Sequence, residues 1–241
     1  TTRQRSQGWY IGANAGYTWG ASDASYVQDG FSVYGFDLAK GDSAFELDRK
    51  LHPKSGVGGV QGGYDYQTRQ LILGVVADFD YRPSSAKTTI GPLFAPLNDF
   101  LSISTEQKWL GTLRLRIGVE PCKACLIYTT GGLAYGRVQH AHVQTIDVLF
   151  DRSFDSHRAF SESQTKVGWV LGGGMEYRFD RNWSVGAEYL YVDLGSDTVR
   201  TSAGAGNDLS GYNLLYPATS VLYDETFSIA RVMLTYRFGG P

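Results

Sequence analysis

The 241-residue chain has few methionines, cysteines and prolines: two, two and seven. It also lacks a run of about 20 apolar residues, the length that a transmembrane helix requires. Charge of one sign is not in excess, because 22 Lys and Arg side chains stand against 24 Asp and Glu, for a net charge of −2. This balance excludes a strongly basic surface of the kind that attracts nucleic acid, so we expect no nucleic-acid partner.

Glycine and tyrosine are the abundant residues, with 30 and 16 copies. This composition disfavours long helices and favours strands that carry aromatic side chains, so we predict an all-β protein. The mean hydropathy is slightly negative. That value does not exclude a membrane protein, because the strands of a membrane barrel expose only alternate residues to lipid.

Apolar and polar residues alternate with period two in eight segments, as a β-strand requires. The segments span about 8–20, 56–67, 71–81, 107–119, 126–138, 166–179, 183–194 and 225–238. Connections after the second, fourth and sixth segments are short, whereas those after the first, third, fifth and seventh are long. We therefore predict one domain over residues 1–241, an eight-stranded antiparallel up-and-down β-barrel with four long loops at one end.

Alternation alone does not say which face of the barrel meets lipid, since a soluble lipocalin-like barrel alternates as well. Aromatic residues stand at the strand ends of the apolar face, as Trp9 and Trp19 do in the first segment. Such rings prefer the membrane interface. The other face mixes charges of both signs with glycine, a composition that fills a narrow barrel interior with ion pairs. We predict a transmembrane barrel with its apolar face outward.

Two sets of charged residues are candidate functional residues. Those predicted to point inward as an ionic cluster are Asp78, Arg114, Arg116, Glu176, Glu188 and Arg231. Those near the junctions of strands and long loops, a candidate rim for lipopolysaccharide phosphates, are Arg49, Lys50, Lys54, Arg82, Lys87, Arg137 and Lys166. The alternative for the second set is an ordinary solvated rim of long side chains that contact the apolar surface with their stems.

The two cysteines, Cys122 and Cys125, lie in the motif PCKAC between two predicted strands. The spacing fits a small disulfide loop in an oxidising compartment, or a turn in which the two thiols merely lie close together. The chain starts at Thr1 without a charged and apolar leader, so we expect a signal peptide to have been removed and residues 1–7 to form a periplasmic tail.

Residue patterns of catalytic and cofactor sites are not evident. The sequence contains no GxSxG elbow, and the glycine-rich GGGMEY is not followed by a predicted helix that would complete a phosphate loop. A zinc ribbon needs a second cysteine pair. We therefore expect no enzymatic activity, no cofactor and no metal.

Several strand motifs together resemble a known family. They include GWYIGANAGYTWG, GVGGVQGGYDYQ, KVGWVLGGGMEYRF, NWSVGAEYLYVDLG and VMLTYRFG. This set resembles the small outer-membrane barrels of alphaproteobacteria, the group of the Omp25 and Omp31 proteins within the OmpA-like opacity barrels. The resemblance implies an outer-membrane protein of a Gram-negative bacterium, with a structural and surface-recognition role or, as the alternative, a small-solute porin. Its implied partners are outer-membrane lipid, lipopolysaccharide, and a surface ligand or neighbouring envelope protein.

Overall fold

The described part of the chain consists of antiparallel strands and turns. The computed structural model describes residues 7–28, 32–33, 36–37, 45–51, 54–68, 71–90, 97–148, 156–201, 204–207, 213–216 and 219–238. Among these residues, helices of the length and apolarity needed to cross a bilayer do not occur.

Eight strands form a closed antiparallel barrel, each paired with its neighbours in sequence. They are β1 (Gly8–Gln28), β2 (Lys54–Thr68), β3 (Leu71–Ile90), β4 (Leu97–Cys122), β5 (Cys125–Val148), β6 (Ser156–Arg178), β7 (Trp183–Thr201) and β8 (Thr219–Arg237). Pairing of β1 with β8, in register from Tyr10 with Arg237 to Gln28 with Thr219, closes the barrel. Closure leaves no free edge within the bilayer, where an unpaired backbone group would be costly.

Short strands accompany the long connections. They are Ser32–Val33, Phe36–Asp37, Phe45–Leu51, Gly204–Asn207 and Asn213–Tyr216. The segment Phe45–Leu51 pairs with the far half of β1. In β7, the register shifts between Asp193 and Ser196, where Gly195 has a left-handed φ of 75° and its N–H donates to Asp193 Oδ1 at 2.8 Å. The bulge requires a glycine at this position.

The strands end close to their predicted positions on the short-turn side but continue further on the other side. β1, predicted to end near residue 20, reaches Gln28, and β6, predicted to begin near residue 166, begins at Ser156. Hairpin pairing therefore continues outside the lipid-facing band. Outside that band a strand no longer faces lipid, so the alternation that marks a membrane strand is not required there.

The outer surface of the barrel is apolar. Val60, Leu115 and Met175 are each more than 60% exposed. Exposed rings gather in two belts. The lower belt, near the short turns, consists of Trp9, Tyr66, Tyr177, Phe179, Trp183 and Phe238, and the upper belt, toward the long connections, consists of Tyr17, Trp19, Phe79, Tyr81, Tyr135, Trp169, Tyr189 and Tyr191. The half-buried Trp109 also belongs to the upper belt, because it pairs in register with Tyr81. This is the arrangement of a lipid-facing band about 25 Å tall between two interfaces. The apolar face is thus the outer face, as the sequence predicted.

Candidate functional site

An ionic cluster fills the middle of the barrel interior, and we call it the central cluster. It joins Asp78 and Asp80 of β3, Arg114 of β4, Glu188 of β7 and Arg231 of β8. Arg114 Nη2 lies 2.6 Å from Asp78 Oδ2 and its Nη1 lies 2.9 Å from Glu188 Oε1. Arg231 lies 2.8 Å from Asp80, 2.7 Å from Glu188 and 3.1 Å from Asp78. The two guanidinium groups thus connect strands on opposite sides of the barrel.

Neutral side chains complete the central cluster, in which three carboxylates meet two guanidinium groups. Thr112 Oγ1 donates to Asp78 Oδ2 at 2.8 Å, and Asn14 Nδ2 donates to Asp80 Oδ1 at 2.8 Å. A carboxylate removed from water must have its remaining lone pairs satisfied. These donors therefore partly offset the one carboxylate in excess over the arginines, while Asp78 Oδ1 has no hydrogen-bond partner among the described residues.

A second ionic cluster, the lower cluster, lies nearer the short turns. Arg116 Nη1 lies 2.6 Å from Glu176 Oε1, and the same guanidinium group donates to both oxygens of Asp65. Arg237 Nη1 lies 2.9 Å from Asp65 Oδ2 and its Nη2 lies 3.8 Å from Glu176 Oε2. Two carboxylates meet two guanidinium groups here, so the charges of this cluster balance.

Two tyrosines connect and cover the lower cluster. The Arg116 guanidinium carbon lies 4.9 Å from the ring centre of Tyr10 and 4.8 Å from that of Tyr128. These distances allow cation–π attraction. The Tyr128 hydroxyl donates to Glu188 Oε1 at 3.1 Å. One side chain therefore contacts both clusters.

Inward-facing glycines give the carboxylates their space. A Cβ at Gly59 would collide with Asp80 Oδ1, and one at Gly74 would collide with Asp65 Oδ1. The glycines of the polar face are thus needed where strands carry long charged side chains toward each other.

An apolar layer follows the central cluster toward the long connections. Its buried side chains are Val57, Leu110, Ala134, Val138, Val170, Leu190, Val192, Leu194, Phe227 and Ile229. Above it, the guanidinium carbon of Arg82 lies 3.8 Å from the Phe227 ring centre, and Arg82 Nη1 donates to Gln107 Oε1. The interior therefore consists of two ionic clusters and an apolar layer stacked along the barrel.

The structure places all six side chains of the predicted ionic cluster inside the barrel, but it divides them. Asp78, Arg114, Glu188 and Arg231 belong to the central cluster, whereas Arg116 and Glu176 belong to the lower one. The prediction left out Asp65, Asp80, Arg237, Tyr10 and Tyr128. The first four lie on predicted polar faces, so alternation could have found them. Tyr128 lies in a segment that is mildly apolar on both faces, so the sequence pattern does not say whether its side chain points into the barrel or outward.

The predicted lipopolysaccharide rim is wrong at two positions. Arg82 and Lys166 are buried in the barrel interior at 1% and 7% exposure, because their strands continue past the predicted ends and keep them on the inward face. Lys54, Lys87 and Arg137 are exposed on the outer face. The side chains of Arg49 and Lys50 lie outside the described residues, as do residues 1–6 of the predicted tail.

Cys122 and Cys125 form a disulfide at the turn between β4 and β5. Of the two arrangements that the spacing allowed, the covalent one is present. The described residues contain no group of three or more histidine, cysteine, aspartate or glutamate side chains arranged to hold a metal ion.

A closed eight-stranded barrel with an apolar exterior, two aromatic belts and an ionic interior is an outer-membrane β-barrel. The sequence matches a protein-family model, described as the outer membrane protein beta-barrel domain, over residues 1–238. The chain therefore belongs to this family. This family confirms the predicted outer-membrane location. The predicted relationship to alphaproteobacterial proteins is confirmed by the relatives described next.

The chain is similar to the 31 kDa outer-membrane immunogenic protein of Brucella melitensis, with 37% identity over 192 residues that cover 78% of this chain and 71% of the relative. It is 27% identical over 162 residues to the 22 kDa outer membrane protein of Rhizobium leguminosarum, covering 67% of this chain and 62% of that protein. Among solved structures, OprG from Pseudomonas aeruginosa covers 100% of both chains at 14% identity with a TM-score of 0.54. The likeness to OprG shows the fold alone.

Proposed function

We propose that this outer-membrane barrel is a structural and surface-recognition protein: a plugged barrel that stabilises the envelope and displays its long loops to the exterior. The observation that carries the proposal is the position of Arg231, which bonds to carboxylates of β3 and β7 from its own strand β8. Pairs of this kind fix the two sides of the barrel to each other.

The stacking of the interior supports a closed lumen. An ion crossing the barrel would have to pass the balanced lower cluster, the central cluster with its one carboxylate in excess, and an apolar layer in which Leu110, Leu190 and Ile229 are fully buried. Charges already paired with each other offer little attraction to a permeating ion, and an apolar constriction opposes hydration. The proposal assigns the chain no catalytic role and no cofactor.

Planar-bilayer conductance tests this function. Wild-type protein, shown to be folded by its shifted mobility on unboiled gels, is expected to add no discrete conductance steps. A variant in which Arg114 and Glu188 are both replaced by serine removes two long side chains of opposite charge from the central cluster. It serves as the comparison, because any conductance that it adds would show that the central cluster, and not the apolar layer alone, closes the lumen. Discrete steps from folded wild-type protein would instead establish the small-solute channel.

We further propose that lipopolysaccharide is a partner of the outer face. Lys54 pairs in register with Trp19, and Arg137 with Trp109, so both exposed cations lie level with the upper aromatic belt. A groove of about 330 Å³ beside Arg137 is lined by Glu106, Lys108, Trp109, Arg137, Gln139 and Ser163. Cations at this depth attract anionic headgroups with about 1 kcal/mol each.

A further inference from the structure

The groove beside Arg137, on the outer face of the barrel, lies where β4 contains a bulge. The register of β4 with β5 shifts between Gln107 and Trp109, so Lys108 is an extra residue without a partner on β5. Gln107 points inward, and the extra residue lets both Lys108 and Trp109 face outward, which a regular strand does not allow for neighbours. With the exposed Glu106, a cation, an aromatic ring and a carboxylate therefore share the outer face within one short segment.

Two further strands complete this groove, which we call the interfacial groove. Arg137 and Gln139 of β5 and Ser163 of β6 line its other side, and its volume is about 330 Å³. Arg137 Nε donates to Ser163 Oγ at 2.7 Å, and this bond orients the guanidinium group. A guanidinium group oriented in this way can bind a phosphate through two parallel hydrogen bonds.

The interfacial groove lies at the depth of the outer membrane interface. Its lower end is marked by Trp109 of the upper belt, which pairs in register with Arg137. The other lining residues lie further toward the long connections, where Glu106 pairs with Gln139 and Gln139 pairs with Ser163. An aromatic ring at this level marks the boundary between acyl chains and headgroups. The polar part of the groove is therefore level with the headgroups.

The chemistry of the lining fits a sugar that carries a phosphate. Two cations, Lys108 and Arg137, stand against one carboxylate, Glu106, which lies 3.7 Å from Lys108 Nζ, so one positive charge is in excess. A phosphate alone would use the cations and be repelled by Glu106, whereas a sugar hydroxyl can donate to that carboxylate. The Trp109 ring stacks on Phe79 with 5.7 Å between ring centres. It thereby offers a flat apolar surface to the carbon face of a sugar ring.

We propose that the interfacial groove binds one phosphorylated sugar of the lipopolysaccharide headgroup. Arg137 and Lys108 bind the phosphate, Trp109 packs against the sugar ring, and Glu106 accepts a hydrogen bond from a sugar hydroxyl. The site rests on the proposed contact with lipopolysaccharide and makes it specific. One molecule binds at one place, in addition to the diffuse attraction of outer-face cations such as Lys54, which lies outside the groove.

Native mass spectrometry of the folded protein in an uncharged, phosphate-free detergent tests the site by counting bound lipids. The probes are lipid A with its phosphates, the same lipid A without them, and phosphatidylglycerol, which supplies a phosphate from another headgroup without the sugar. Wild-type protein is expected to bind one molecule of phosphorylated lipid A saturably. It should bind each of the other two probes at least about 10-fold more weakly, since charged hydrogen bonds or the sugar contacts are missing.

Substitutions separate the groove from diffuse attraction. Arg137→Met should weaken binding of phosphorylated lipid A about 10-fold to 100-fold, because charged hydrogen bonds are lost. Arg137→Lys keeps the charge but loses the two parallel hydrogen bonds, and it should still weaken binding about 10-fold. Lys54→Met removes one charge at a similar depth outside the groove, and its loss should stay within about 5-fold, the contribution of one cation near anionic headgroups. Mobility on unboiled gels checks that each variant is folded.

The outcomes distinguish this site from the general contact with lipopolysaccharide. If folded wild-type protein binds no lipid A, both the contact and the groove are contradicted. Equal losses in Arg137→Met and Lys54→Met, with Arg137→Lys unchanged, would leave the contact standing and overturn the groove as a specific site. Binding of phosphatidylglycerol as tight as that of lipid A would show that any headgroup phosphate suffices, and the sugar would then have no part in recognition.

Discussion

Arg231 and Asp78 lie 153 positions apart in the chain, yet Arg231 Nη2 is 3.1 Å from Asp78 Oδ2. The contact joins β8 to β3, which are separated on the barrel wall by β1 and β2. It forms only when the last strand has closed against the first. Filling of the interior and closure of the wall are therefore coupled, because the same residue of β8 that bonds across the lumen also pairs with Gly16 of β1.

Arg231→Met should strongly destabilise the barrel. The substitution leaves three buried carboxylates, Asp78, Asp80 and Glu188, without one of their guanidinium partners. Removal of one partner from a buried ionic group typically costs about 3–5 kcal/mol. Denaturant unfolding of the refolded protein in micelles or vesicles measures the loss.

The matched control is Lys108→Met, which also removes a cation but from an exposed side chain with a 3.7 Å contact to Glu106. It is expected to change the free energy of unfolding by no more than about 1 kcal/mol. If the two substitutions prove equally costly, the central cluster does not stabilise the barrel.

Gly74→Ala tests the space that glycine leaves for the lower cluster. The added Cβ would collide with Asp65, which accepts hydrogen bonds from Arg116 and Arg237. We expect a loss of about 1–3 kcal/mol, typical of overpacking in a filled interior. Gly56→Ala is the control, because no atom lies within 4 Å of a Cβ there. Unchanged stability in Gly74→Ala would mean that Asp65 can move at little cost.

The sequence predicted the strands correctly where they face lipid, because there apolar and polar residues must alternate. The first and last residues of the strands on the short-turn side, such as Gly8 and Trp183, agree with the predicted positions. On the opposite side the strands continue to pair beyond the lipid-facing band, where backbone hydrogen bonds rather than apolar alternation maintain the strand. No pattern in residues 21–28 marks that continuation.

The site was predicted in part for a similar reason. The alternation of apolar and polar residues predicted that Asp78, Glu188 and Arg231 point into the barrel. It does not predict which inward-pointing side chains contact each other, because those contacts depend on strand tilt and register. Arg82 and Lys166 also lie at inward-facing positions of the alternation. They were assigned to the rim because the predicted strands ended beside them.

Leu115→Arg tests directly which face meets lipid. Leu115 is 65% exposed on β4, midway between Trp109 of the upper belt and the turn after Cys122. An arginine at the bilayer midplane of such a barrel costs about 2–4 kcal/mol, whereas one near an interface costs about 0–1 kcal/mol. Val119→Arg, on the same strand and face but nearer the turn, is therefore the control. Unfolding in phospholipid vesicles should show the larger loss for Leu115→Arg, and a reversed order would contradict the position of the lipid band.

The proposed contact with lipopolysaccharide is tested by charge reversal on the outer face. A triple variant with Lys54, Lys87 and Arg137 changed to glutamate should carry less co-purifying lipopolysaccharide and make cells more sensitive to detergent. All three side chains are exposed, so the barrel should fold normally on unboiled gels. The matched control reverses Lys123 and Arg181, which are exposed at the short turns on the opposite side of the membrane. It changes the net charge in the same direction, but lipopolysaccharide is confined to the other leaflet. If the folded triple variant retains wild-type lipopolysaccharide and detergent resistance, these cations do not bind the headgroups. An equal loss in the control would trace the effect to net charge rather than to contact.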